Sequence, residues 1–316
     1  MKYKHIFGPV PSRRLGLSLG VDLVPYKTCT LNCIYCECGE TTNLTADLKE
    51  YIPVQSVIDE LGNYLSAAPR LDYITFSGSG EPTLNIQISK VVDYIKNNFP
   101  RYKVCLLTNG TLFTTASVRS AVSEIDLIIP SLDAASENSF ARINRPHNSI
   151  DCTSTIDGLT RLRSEYSGQI ILEIFFVKGL NDSPEELLRL NEAIEKINPD
   201  RVQIGTLDRP GTEDWVEEVD NIRMKEIADF LCKAELIGEY RPRRNISSCD
   251  DSHNSQIIRT LQRRPCTIKD LQQIINLRPV EIQKQINFLL ERGTIEAEKK
   301  ERGLFFKVKS NSDGLA

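Results

Sequence analysis

The chain of 316 residues contains only three histidines, widely spaced. A Ser-His-Asp triad and a histidine-built zinc site therefore have no support. No stretch approaches the roughly 18 uninterrupted apolar residues that a membrane-spanning helix needs. Residues 1–9 lack the apolar core of a secretory signal, so a cytoplasmic protein with no membrane partner is expected. Neither a G-x-x-x-x-G-K-[ST] loop nor a G-x-G-x-x-G fingerprint occurs, and Gly78-Ser79-Gly80 alone is weak support for a phosphate site. A net charge of −4 excludes a uniformly basic nucleic-acid binder. Cysteine, by contrast, is plentiful. Of nine, four (Cys29, Cys33, Cys36 and Cys38) fall within ten residues. In a large chain kept reduced, such crowding points to metal before disulfide.

Up to about residue 240, short runs rich in apolar and β-branched residues (17–24, 73–77, 104–108, 127–131, 170–177, 201–206) alternate with helix-period segments (54–67, 86–99, 116–122, 155–166, 184–197, 224–234). Val57, Ile58, Leu61 and Leu65 show the buried stripe of the first helix, and Pro184 suits a first turn after a Ser183 cap. Six strand-then-helix units predict an α/β fold with a parallel sheet, doubly wound or curled into a barrel. Each unusual loop follows a strand: the cysteines, Ser77–Pro82, Thr108–Gly110, Ser131–Asp133, Lys178–Asp182 and Leu207–Gly211. The carboxyl ends of parallel strands share one face, so six such loops describe one site. Ordinary turn formation accounts for some glycines, but not for the cysteines or the repeated acidic positions.

Residues 241–253 read as a polar linker after a 1–240 domain. A second unit at 254–310 follows, with helices at 254–263, 268–275 (capped by Thr267) and 279–292. A hairpin at 295–298 and 304–308 turns at Arg302-Gly303, and 311–316 form a tail. Three short helices and a two-stranded wing match a winged helix-turn-helix domain. Residues 250–316 carry 12 Lys and Arg against 9 Asp and Glu, net +3, leaving −7 for residues 1–249. The third helix balances Glu281 and Glu291 against Lys284 and Arg292, whereas a DNA-reading helix is usually more basic. Lys299, Lys300, Arg302, Lys307 and Lys309 give the wing a modest basic face.

Cys29, Cys33 and Cys36 form a C-x₃-C-x₂-C triplet. Three thiolates on one short loop can ligate three irons of a [4Fe–4S] cube and leave the fourth open to a substrate or cosubstrate. The alternative is a structural zinc site with Cys38 as fourth ligand, for which the spacing is poor because zinc ligands come as separated pairs.

The C-x₃-C-x-Tyr-C motif after the first strand, with Gly-x-Gly-Glu-Pro after the second, resembles the radical S-adenosylmethionine (SAM) superfamily over residues 15–235. The resemblance implies a partial (β/α)6 barrel. Residues 8–16 (Gly-Pro-Val-Pro-Ser-Arg-Arg-Leu-Gly) and Cys36-Glu-Cys-Gly39 look like a narrower group, the stand-alone iron–sulfur oxidoreductases related to wyosine-forming tRNA enzymes. By resemblance, Cys29, Cys33 and Cys36 hold the cluster and Tyr35 lies near the adenine of SAM. Gly78, Ser79, Gly80 and Glu81 meet its methionyl amino group, Ser79 being a departure between the two glycines. Asn109, Ser131 and Asp133 contact its ribose or carboxylate, with turn capping as their alternative. The implied chemistry is reductive cleavage of SAM to methionine and a 5′-deoxyadenosyl radical, which abstracts hydrogen from a substrate. The implied partners are SAM and an electron donor such as flavodoxin or ferredoxin.

Around this site, Cys38 could touch the cluster, accept a second cluster or simply pack. Cys105, Cys152, Cys232 and Cys266 read as core or surface thiols, and Cys249 in the linker could donate hydrogen or bind metal. Arg142, Asn144, Arg145 and His147, read as a loop after the fourth strand, could meet an anionic substrate or be a solvated basic loop; Arg13 and Arg14 invite the same reading. Arg209 has the better position, after the sixth strand. Three functions remain open: a radical SAM enzyme on a macromolecule (tRNA, peptide or protein) presented by the winged helix, the same chemistry on a small metabolite with the winged helix as dimerisation or lid element, or an iron–sulfur redox sensor that regulates DNA. The rim motifs count against the last, because a sensor needs no SAM pocket.

Overall fold

The computed structural model describes residues 3–12, 14–237, 253–275, 277 and 279–309. Arg13, Cys249, most of the expected linker and the tail at 311–316 lie outside them. The chain opens with an antiparallel hairpin of β1 (Ile6–Ser12) and β2 (Gly16–Val21), paired from Ile6↔Val21 to Ser12↔Gly16 with a shift of register between Phe7 and Val10. Two short strands, β3 (Thr28–Cys29) and β4 (Asn43–Leu44), pair in parallel across the base of the cysteine loop. Then come α1 (Val54–Leu65), β5 (Tyr73–Phe76), α2 (Ile88–Asn98), β6 (Lys103–Thr108), α3 (Ala116–Ala121) and β7 (Leu127–Pro130). They are followed by α4 (Glu137–Asn144), α5 (Cys152–Glu165), β8 (Gln169–Phe176), α6 (Pro184–Ile197), β9 (Arg201–Thr206), α7 (Asn221–Phe230) and β10 (Ala234–Leu236).

The main sheet runs β1-β2-β5-β6-β7-β8-β9-β10, parallel throughout except for β1. β1 and β10 end it and do not pair, so the six expected units build a partial barrel left open. Side-chain alternation separates its two faces. In β8, Ile170, Leu172, Ile174 and Phe176 join the main core under the helices. The intervening Ile171 joins a small second cluster with Leu15, Cys105, Leu127 and Ile129, while Glu173 and Phe175 line a cavity. The concave face is therefore apolar at its floor and polar above.

Three elements depart from the sequence reading. Residues 137–144, expected as loop, are helical: Ser136 accepts from the Ser139 N–H, and Phe140 and Ile143 are buried. Two apolar positions in eight residues show too little period to be seen. The helix expected at 224–234 begins and ends earlier, capped by Asp220, and the last residues of that stretch open strand β10 against β9. The β1 edge strand, interrupted by Gly8 and Pro9, was not expected either.

Beyond the barrel lie α8 (His253–Arg263), α9 (Ile268–Ile274), α10 (Pro279–Glu291) and a hairpin of β11 (Ile295–Lys300) and β12 (Gly303–Val308). His253 thus opens a helix instead of closing a linker. Thr267 and Asp270 form a reciprocal capping box at α9. Ile257, Leu261, Leu271, Ile282, Ile286 and Phe306 belong to this unit's own core, against which Val10 of β1 also packs.

Polar contacts tie the two units together. Arg209 Nη1 donates to Pro265 O at 2.7 Å and meets Asp270 Oδ2 at 3.1 Å. Arg302 bridges Asp270 at 2.9 Å and Asp208 at 3.2 Å. Arg263 Nη2 donates to Asp22 Oδ2 at 2.5 Å, and Arg259 to Ile6 O at 2.9 Å. Among the described residues no helix is long and apolar enough to cross a membrane.

Candidate functional site

The cysteine loop is docked through its backbone. Ile34, fully buried, donates its N–H to Ile143 O at 2.9 Å, Asn32 N–H reaches Asn144 O at 2.9 Å, and Leu31 bridges Pro146. The end of α4, unseen in the sequence, is thus the bed on which the loop lies. A turn closes it, with the Cys36 N–H donating to Cys33 O at 3.1 Å.

Each thiol of the triplet accepts one side-chain N–H. Asn109 Nδ2 lies 3.5 Å from Cys29 Sγ, Asn144 Nδ2 lies 3.4 Å from Cys33 Sγ, and Lys27 Nζ lies 3.0 Å from Cys36 Sγ. Burial raises the Cys29 thiol to about 11 and pushes Cys33 well above its ordinary value. Cys36 goes the opposite way, held well down by the neighbouring Cys38 thiol and by the Lys27 ammonium. Burial acts to lower Lys27, but Cys36 and Cys38 outweigh it and keep the ammonium charged. Lys27 was not singled out in the sequence; its only signal is a lysine two residues before the first cysteine. The Cys38 thiol donates to Arg263 O at 2.9 Å, and so meets the backbone of the C-terminal unit.

Glu81 is buried and turned inward. Its Oε1 accepts from Thr83 N (3.0 Å), Thr83 Oγ1 (2.6 Å) and Thr108 Oγ1 (2.7 Å), and its Oε2 from Asn109 N (2.7 Å). The carboxylate fastens the Gly78–Pro82 loop to the end of β6. Burial pushes its pKa up and these donors pull it back. The glycines are sterically required: a Cβ on Gly78, which has φ +121°, would sit 1.6 Å from Asp22 Oδ1, and one on Gly80 2.1 Å from Thr28 O. Ser79 N–H donates to the same Asp22 Oδ1 at 3.3 Å.

Asn109 Oδ1 accepts from Thr111 N (3.1 Å) and Oγ1 (2.8 Å), the turn-capping role, while its amide also reaches Thr30 Oγ1 at 2.7 Å. Ser131 bridges Glu173 at the cavity wall. Asp133 Oδ2 accepts from Tyr35 Oη (2.5 Å) and Asn144 Nδ2 (2.7 Å), and its Oδ1 from Phe175 N (2.9 Å). Burial raises this carboxyl to about 6. The Tyr35 ring stacks on Phe175, centroids 4.0 Å apart at 12°. Asp133, Tyr35, Asn144 and Cys33 therefore form one connected group, although their positions span more than 110 residues of sequence.

Other candidates are occupied elsewhere. Asn144 is buried against the cysteines, while Arg142 is exposed, Arg145 pairs with Glu213, and His147 contacts Ser149. Arg14 pairs with Glu173 inside the barrel, and Arg209 is spent on the contacts to the C-terminal unit. Cys105, Cys152 and Cys266 are buried and Cys232 is exposed.

A cavity of about 1720 Å³ opens on the concave face. Tyr35, Cys36, Cys38 and Asp133 line one side and Arg263 and Arg264 of the C-terminal unit another. It exceeds the ~300–1,000 Å³ of an ordinary small-ligand pocket.

The sequence profile of the Radical SAM superfamily matches residues 23–191. The chain belongs to the radical SAM superfamily. A protein of Brachyspira hyodysenteriae named GTPase Obg is 35% identical over 301 residues, covering 94% of this chain and 44% of that protein. The chain thus spans less than half of that relative. A UPF0026 protein of Helicobacter pylori is 37% identical over 209 residues, 66% of this chain and 67% of its own. The dual-specificity RNA methyltransferase RlmN of Caulobacter vibrioides is 28% identical over 185 residues, 54% of this chain and 44% of its own. Among solved structures, a radical SAM methyltransferase from Sphaerobacter thermophilus superposes with a TM-score of 0.55 at 15% identity, covering 69% of this chain and 65% of the other, a likeness of fold.

Radical SAM enzymes bind a [4Fe–4S] cluster and SAM. The donor set fits that pairing. Three thiols share one loop, each already facing an N–H, and Asn144 Oδ1 is buried without a donor. Its amide orientation is fixed, because the carboxylate of Asp133 requires the NH₂ side.

Proposed function

We propose that the chain is a radical SAM enzyme in which Cys29, Cys33 and Cys36 ligate a [4Fe–4S] cluster and SAM lies beside it, over the Gly78–Gly80 backbone and against Tyr35, Ser131 and Asp133. When reduced, the cluster supplies the electron that cleaves SAM to methionine and a 5′-deoxyadenosyl radical able to take hydrogen from a substrate. The observation that carries this reading is the three-thiol loop, each sulfur met by one N–H, at the edge of a cavity large enough for SAM and a second molecule. The chain's own contribution is placement. Glu81 and Asp22 fix the glycine loop, Asp133 fixes Tyr35, and the barrel wall excludes water. An electron donor of the flavodoxin or ferredoxin kind and a cytoplasmic location belong to the same reading, since such a site needs reducing conditions.

The unit at 254–310 we read as a winged helix that presents a macromolecule, tRNA, peptide or protein, to the cavity. A relative named as an RNA methyltransferase is in keeping with this. A second reading, a small metabolite with the winged helix as lid, is favoured by the contacts of Arg209, Arg302 and Arg263, which hold the unit across the cavity mouth. A gel shift with bulk tRNA across a salt series separates the two. RNA binding that weakens steeply with salt supports the first, and none at low salt removes its tRNA form.

The test of the chemistry is anaerobic reconstitution. The reduced protein should form 5′-deoxyadenosine from SAM, and Cys33→Ala should abolish both iron-dependent colour and product. An Ala variant that still cleaves SAM overturns the reading.

A further inference from the structure

Three side chains from three different segments converge on the cysteine sulfurs: Lys27 before the loop, Asn109 after β6 and Asn144 at the end of α4. Two are neutral amides and one is an ammonium. We infer that Lys27 is a positioning residue that sets the reduction potential of the cluster through its hydrogen bond to Cys36 Sγ, an inference that rests on Cys36 being a cluster ligand.

The geometry favours Lys27 over the two amides. Its contact, at 3.0 Å, is the shortest of the three, against 3.4 and 3.5 Å for Asn144 and Asn109. The lysine is 3% exposed, and among the described residues no carboxylate pairs with it. A buried ammonium needs a counter-charge, and the sulfur of Cys36 is the anion within reach. The residue is also held from both sides. Lys27 O accepts from Asn43 N at 3.0 Å, and the neighbouring Tyr26 hydroxyl donates to Cys38 O at 2.6 Å. The ammonium is therefore pinned beside the sulfur by a closed stretch of backbone.

Reduction brings one electron to the cluster from the external reductant, with no bond made or broken and no proton moved. It adds one negative charge to a group that already bears thiolates. A fixed positive charge and an N–H···S bond stabilise that reduced form more than the oxidised one, so both raise the potential. The amides of Asn109 and Asn144 act in the same direction through a dipole alone. In this arrangement the Asn109 and Asn144 amides both face the sulfurs.

The experiment is a redox titration of the reconstituted protein without SAM, followed by electron paramagnetic resonance of the reduced cluster, with iron and sulfide counted per chain. Lys27→Met, loaded as fully as wild type, should shift the reduced-to-oxidised ratio at a fixed potential at least tenfold toward oxidised, about 59 mV for one electron. Lys27→Arg, which keeps charge and donor, should restore most of that shift. A fully loaded Lys27→Met that titrates with wild type overturns the inference. If Lys27→Met takes up no cluster, Lys27→Gln carries the same expectation of a negative shift, and a fully loaded Lys27→Gln at the wild-type potential overturns it. Cluster loss from both neutral variants with retention in Lys27→Arg assigns the residue to holding the cluster instead of tuning it, and loss from all three assigns it to folding; either result overturns the inference. Wild type that takes up no cluster fails the proposed function itself, a result distinct from any of these.

Discussion

The hydroxyl of Tyr35 donates to Asp133 Oδ2 at 2.5 Å, joining the cysteine loop to the end of β7. Tyr35→Phe keeps the stack on Phe175 and removes only this bond. Asp133, ordinarily ionising near 3.8, is raised by burial to about 6, and the Tyr35 bond works against that rise. Ionised Asp133 therefore costs stability as pH climbs from about 4 to 6, and Tyr35 limits the cost. The variant should lose about 1–3 kcal/mol at pH 7.5 and less at pH 5, where the carboxyl carries its proton. Urea unfolding of the cluster-free protein at the two pH values checks this; a loss independent of pH would show that the bond does not favour the ionised carboxylate.

Glu81→Gln separates holding a loop from binding a cation. The carboxylate accepts from four protein donors, and an amide offers one oxygen and brings two hydrogens of its own. The SAM-free variant should be destabilised by about 2–4 kcal/mol, since a donor facing an NH₂ is left unmade inside the protein. Differential scanning calorimetry reads the change. If Tm is untouched while SAM affinity collapses, the carboxylate faces the ligand instead.

Asp270→Asn isolates charge at the contact between the two units. Burial would raise this carboxyl, but Arg209, the Thr267 backbone and Arg302 outweigh it and hold it below 3.8. Its contribution is thus complete above the unfolded value near 3.8 and disappears as pH falls through the lower folded value. Asn can still accept the capping hydrogen bond from Thr267 N, so what goes is the pairing with both arginines. The variant should lose about 1–3 kcal/mol at pH 7, and that deficit should fade as pH falls through the lowered folded value. Far-UV circular dichroism along an acid titration, wild type against variant, shows whether the curves converge.

The barrel was legible because its strands are short runs rich in apolar and β-branched residues and its helices carry buried stripes; Gln169–Phe176, apolar at six of eight positions, announces β8 without help from any other part of the chain. The cysteine triplet was legible because its spacing is chemistry in itself. What escaped notice was relational. α4 carries only Phe140 and Ile143 as apolar signal, yet its end supports the cysteine loop. Lys27 looks like any surface lysine until folding brings Cys36 within 3.0 Å. Glu81 and Asn109 were found by motif, but which way their polar atoms turn depends on Thr83, Thr108 and Thr30, residues with no pattern of their own.

Asp22 divides its two oxygens between distant parts of the molecule: Oδ1 receives the Ser79 N–H and Oδ2 the Arg263 guanidinium. Lifting α8 off the barrel frees one oxygen of the carboxylate that seats Ser79, leaving it to find water or a proton. One carboxylate thus serves at once as a prop behind the glycine loop and as the seat of α8.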